Sequence, residues 1–171
     1  MVHIRPPFWV NYAAAALILA HAGLSAYWAA GGRAGLGLMS EGIQAQANSP
    51  TLWFILMIWA VAGLKLLVGV VALGLARGWN LILPRWMLLT VLWGTGAVLF
   101  IYGGIQFITG VAVVSGVVAG PESPSTAFWA YLLLWAPLWL AIGTLYLLTA
   151  LRETNLRRRY IQTTPEPPSV R

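Results

Sequence analysis

The chain alternates long apolar runs with short polar breaks. The runs cover about residues 8–30, 52–76, 86–118 and 127–151. A bilayer core about 30 Å thick is crossed by roughly 20 helical residues, so each run is long enough to span it. The pattern predicts an all-α integral membrane protein, a bundle of four transmembrane helices. Pro6 and Pro7 precede the first run, where a missing N–H does no harm. Asn48-Ser49-Pro50 reads as the cap and start of the second. The third run stays apolar to Val118, too far for one straight span. It is expected to tilt, or to break near Gly103-Gly104 or Gly110. Pro137 falls near the middle of the fourth run.

Positive charge collects in alternate breaks. His3 and Arg5 precede the first run, Arg77 and Arg85 bracket the break after the second, and Arg152 and Arg157-Arg158-Arg159 follow the fourth. The other two breaks hold only Arg33 with Glu41, and Glu122 alone. The positive-inside rule then puts both termini and the Arg77–Arg85 loop in the cytoplasm. The expected location is the bacterial inner membrane. Arg5 with Ala29-Ala30 could pass for a signal peptide, but the apolar stretch exceeds the usual length of about 7–15 residues and is read as a true span. Residues 152–171 form a basic, then proline-rich, cytoplasmic tail, and 162–171 are expected to lack order.

Composition agrees with this reading. The chain is 60% hydrophobic and 8% charged, with a mean hydropathy of +0.78. So few charges could not cover a water-facing surface. The net charge of +6 flanks apolar runs and does not point to nucleic acid. With no cysteine, disulfides, thiolate catalysis and thiol-ligated metals are excluded. Of ten tryptophans, Trp9, Trp28, Trp53, Trp79, Trp86 and Trp129 suit interfacial belts. Trp59, Trp93, Trp135 and Trp139 fall deeper, as packing residues or the walls of a ligand site.

Lys65 is the only lysine, and the one formal charge near the middle of a run. A charge there is costly and by default marks function. Helical spacing puts Ala62, Lys65, Gly69, Ala72 and Ala76 on one stripe, where small residues admit another helix. Lys65 is therefore expected to face inward. It could serve as an anion site, a Schiff-base amine or a proton carrier; the plainer alternative is a packed stem with a snorkelling head. His21, Ser25 and Trp28 follow at i, i+4 and i+7 in the first run. His21 is the one histidine within a span, so one chain cannot supply two axial ligands to a haem. No span holds a partner carboxylate, so no metal or cofactor is implied. Thr95, Tyr102, Gln106 and Thr109 form a polar stripe in the third run, fit for interhelical bonds or for lining a site. The break at residues 31–50 is long, and 40–47 could form a short helix on the membrane. Glu41 is its one acid, a candidate partner for Arg33 or, if the loop folds over, for His21. No nucleophile–base–acid set stands at fixed spacing.

Tyr27-Trp28-Ala29-Ala30-Gly31-Gly32 closes the first run, and Leu134-Trp135-Ala136-Pro137-Leu138-Trp139 opens a stretch ending near Gly143. Both resemble signatures of an uncharacterised bacterial four-span family, domain of unknown function thirty-nine ninety-five. That family has a Tyr-Trp-x-x-Gly-Gly end to its first helix and a Trp-x-Pro segment in its last. The resemblance implies four helices in a bacterial inner membrane and no particular activity. The expected role is non-enzymatic: an accessory subunit of a larger membrane complex, or a homo-oligomer. The alternative is a binder or transporter of a small apolar or amphipathic molecule, using Lys65, His21, Gln106, Ser25, Tyr102, Trp28, Trp59 and Trp135. A third reading is an enzyme acting on lipid or isoprenoid substrates, for which Glu41 and His21 are the only acid–base groups on offer.

Overall fold

The computed structural model describes residues 9–77, 84–120 and 123–163, with 156–163 described as backbone only. His3, Arg5, Pro6, Pro7, Trp79, Glu122 and the tail beyond residue 163 lie outside the described residues, as do the side chains of Arg157, Arg158 and Arg159. In order come α1 (Trp9–Ala29), a 3-10 turn (Leu36–Leu38), α2 (Glu41–Asn48), α3 (Leu52–Arg77), α4 (Arg85–Val114), α5 (Thr126–Ala130), a π turn (Tyr131–Trp135) and α6 (Ala136–Thr163). Four helical segments are long and apolar enough to cross a membrane: α1, α3, α4 and the continuous stretch Thr126–Asn155. The chain is a multi-pass membrane protein by that measure.

Several boundaries differ from the sequence reading. Ser49 closes α2, and it is Thr51 that caps α3, accepting a hydrogen bond from the Phe54 amide at 3.2 Å. The last helix runs on to Thr163, because Arg, Glu and Leu after Leu151 favour helix once the apolar run has ended. α4 is unbroken over 30 residues, about 45 Å at 1.5 Å per residue. Its glycines do not break it. Gly96, Gly103 and Gly110 recur every two turns on the face against α6 and the π turn before it, and are buried. A Cβ at Gly103 would stand 2.8 Å from the Leu140 amide nitrogen, and one at Gly96 would stand 2.9 Å from that of Leu147. Glycine there lets the two backbones meet, which in lipid takes the place of hydrophobic burial.

α3 packs along α1, α4 packs along α6, and the two pairs join where α1 meets α6; α3 and α4, though consecutive, scarcely touch. The core gathers Ala14, Ala15, Ile18, Ala72, Leu92, Ile142, Tyr146 and Ala150. All lie toward the ends of the helices remote from the 30–51 loop. Small side chains bring the helices together there, and the Tyr146 hydroxyl donates to the Val68 carbonyl at 3.1 Å. Toward the loop, large aromatic residues replace small ones, and a space opens.

Candidate functional site

That space is a cavity of about 240 Å³. Its walls come from α1, α3, α4 and the π-turn region of the last helix. Lys65 enters it from α3, about 20 Å along that helix from Leu52. Its Nζ lies 2.8 Å from His21 Nδ1 and donates to Ser25 Oγ at 2.9 Å. The i, i+4 spacing of His21 and Ser25 puts both on one face of α1, one turn apart. Nζ also lies 5.4 Å from the centre of the Trp139 ring, within cation–π range. An ammonium has three hydrogens and no lone pair. Two are spent on His21 and Ser25. With Lys65 charged, His21 Nδ1 is the acceptor and its Nε2 carries the ring hydrogen.

Aromatic rings hold His21 in place. Its ring packs on Trp139 at 4.4 Å between centroids and meets the edge of Trp135 at 5.7 Å. Trp135 in turn meets Trp28 at 6.3 Å. Pro137 accounts for the placing of Trp135. Its ring would clash with the carbonyl four residues back, at Leu133. The backbone widens instead into a π turn, in which the Ala136 amide reaches back five residues to the Tyr131 carbonyl. Such single-turn widenings often mark functional sites. Trp135 is turned inward, and its Nε1 donates to the Leu38 carbonyl in the loop at 3.2 Å.

On the loop side the cavity is closed by Trp28, Met39 and Ile43, and the Tyr-Trp-x-x-Gly-Gly segment fixes the loop that carries them. Gly31 has a φ of 93°, in the left-handed region. The Gly32 amide bonds the Tyr27 carbonyl and the Gly31 amide bonds the Trp28 carbonyl, the two bonds of a Schellman cap. The Tyr27 ring lies over Gly32 where a Cβ would sit. The Tyr27 hydroxyl accepts from the Ala34 amide at 3.2 Å, and Trp28 Nε1 donates to the Ala34 carbonyl at 2.9 Å. Both polar groups of one loop residue are thus held by the pair of aromatics. Gln44 on α2 ties down the other side, donating to the Met39 carbonyl at 2.7 Å.

The structure therefore gathers Lys65, His21, Ser25, Tyr102, Trp28 and Trp135 around one cavity. Trp139, Tyr131 and Phe54 join them. Trp139 is one of the four deeper tryptophans that the sequence offers as packing residues or walls of a ligand site; nothing in the sequence places Phe54 there. Trp59 and Gln106 stand outside it. Trp59 lies on the lipid-facing side of α3 at 48% exposure, since depth in the membrane does not decide which way a ring points. Gln106 bonds only Tyr102, its neighbour one turn away, at 3.4 Å. Arg33 donates to Asn48 Oδ1 at 3.2 Å and does not pair with Glu41. Glu41 opens α2, exposed, and does not reach His21. The acid–base pair that a lipid enzyme would use is not assembled. Among the described residues, no three His or acid side chains come together as a metal set.

No curated protein and no solved structure matches the chain. A family model does match residues 18–146, which take in both aromatic segments and every residue of the Lys65 cavity. The chain belongs to the family described as protein of unknown function (DUF3995).

Proposed function

We propose that this protein binds a small amphipathic molecule of the bilayer, with Lys65 holding its polar head. One observation carries the reading. The amine is turned away from lipid onto His21 and Ser25, and its third hydrogen is left to a cavity that opens sideways. The opening lies between α3 and α4. Met57 and Val61 on the one and Tyr102 on the other line the cavity and are exposed. At about 240 Å³ the space falls below the roughly 300 Å³ at which pockets take whole drug-sized ligands. It suits a head group, with the apolar remainder in the gap and the bilayer. We place the four helices as a bundle in a bacterial inner membrane with both termini in the cytoplasm, on the distribution of arginine.

A second reading, an accessory subunit or homo-oligomer, draws on a different observation. Gly63 on α3 and Gly94 on α4 face away from the rest of the chain, with nothing within 4 Å of a would-be Cβ. Outward small residues suit a further helix. Native mass spectrometry of the protein, extracted gently from its host, separates the two. A chain or homo-oligomer carrying a small molecule supports binding, and a defined hetero-complex with an empty cavity supports the subunit.

A further inference from the structure

We infer that the head is a carboxylate on a single long chain, entering sideways between α3 and α4; this rests on the binding reading above. The inventory of polar groups carries the choice. Lys65, Ser25, His21, Tyr102, Tyr131 and Trp139 line the cavity, and each can donate a hydrogen bond. The indole N–H groups of Trp28 and Trp135 are already spent on loop carbonyls. No acid lines the space, so nothing in its walls neutralises the lysine. A neutral carbonyl head would accept the free hydrogen but leave the charge standing in a low-dielectric site. A carboxylate accepts it, has further lone pairs for Ser25 or Tyr102, and cancels the charge.

Charge count and space narrow the class further. A phosphate monoester carries about −1.5 to −2 near neutrality and calls for more than one cation. A phosphodiester lipid brings glycerol and a second chain. About 240 Å³ equals the liquid volume of roughly eight waters, enough for a carboxylate and a few methylenes. The remaining methylenes pass out between Val61 and Tyr102, where α3 and α4 leave room.

The test uses the full chain in nanodiscs and the probe 2-bromohexadecanoate, whose bromine sits beside the head and quenches indoles on contact. Saturable quenching is expected, displaced by hexadecanoate and not by hexadecan-1-ol. Lys65→Met is expected to weaken binding about tenfold or more, as loss of a charge-assisted hydrogen bond would. Trp139→Phe should lose much of the quenching, because that ring lies beside the Lys65 amine. The chain lacks cysteine, so the mouth can be blocked selectively. Val61→Cys capped with N-phenylmaleimide should lose binding. Leu64→Cys, exposed and outside the cavity, should keep it when capped in the same way. Equal displacement by the alcohol, or better displacement by hexadecyl phosphate, overturns the carboxylate while leaving amphiphile binding intact. No saturable quenching by the bromo-acid, nor by 2-bromohexadecan-1-ol titrated in the same way, overturns both. Unimpaired binding to capped Val61→Cys overturns the sideways entry.

Discussion

Replacing Lys65 by methionine separates a lysine kept for binding from one kept for structure. A lysine near the centre of a spanning helix costs about 2.5–3.5 kcal/mol on insertion scales. Two interhelical hydrogen bonds, to His21 and Ser25, offset about 0.6 kcal/mol each. The Trp139 ring offsets about 1 kcal/mol more. Lys65 is therefore a net burden to the fold of up to roughly 1 kcal/mol. Methionine has a similar shape and no charge. His21 and Ser25 lose a partner but border a cavity large enough for water, so neither is stranded. Lys65→Met should leave stability unchanged or improved by about 1 kcal/mol, a rise in Tm of up to roughly 4 °C for a chain of this length. The assay is tryptophan-detected thermal unfolding in mild detergent, run beside the bromo-acid titration. Binding should fall while Tm holds or rises, as for a residue retained for function against stability. A fall in Tm of more than about 5 °C with binding intact would show that Lys65 is structural.

Three further substitutions, two of them paired with a control, test the frame around the site. Gly103→Val drives a side chain into the α6 backbone at Leu140 and should cost about 1–3 kcal/mol, read as a lower Tm. Gly104→Val, whose Cβ would meet only Leu140 Cδ2 at 3.8 Å, should cost far less. Gly31→Ala forces a side chain into the left-handed region and should cost about 1–2 kcal/mol; a neutral result in thermal unfolding would remove the Schellman cap from the account. Trp135→Phe loses the bond to the Leu38 carbonyl, about 0.5–1.5 kcal/mol, and should raise amide exchange at residues 36–39, whereas Trp93→Phe should leave that exchange unchanged.

The four spans were legible because hydropathy over about 20 residues reports the solvent directly. The inward face of Lys65 was legible for a similar reason: Ala62, Gly69, Ala72 and Ala76 share its stripe, and all four are buried. Its partners were not. His21 lies 44 residues away on another helix, and only packing brings the two together. The glycines of α4 stood in plain view at a seven-residue interval, yet glycine signals both a break and a close approach, and the context of α6 decides which. Trp59 and Trp135 looked alike by depth; the π turn ahead of Pro137 rotates one inward, and no local propensity announces that turn. Glu41 and Arg33 share a loop, but Asn48 takes the guanidinium.

Lys65 is the only lysine in the chain, so protein grown on lysine labelled with nitrogen-15 at Nζ gives a single amine resonance. That resonance, followed in nanodiscs while hexadecanoate is added, tests directly whether the third hydrogen of Lys65 serves a ligand. A saturable shift is expected, one that hexadecan-1-ol does not produce. A resonance that stays still at full occupancy of the bromo-acid site would mean that the amine is closed off by His21 and Ser25, and would contradict the proposed binding.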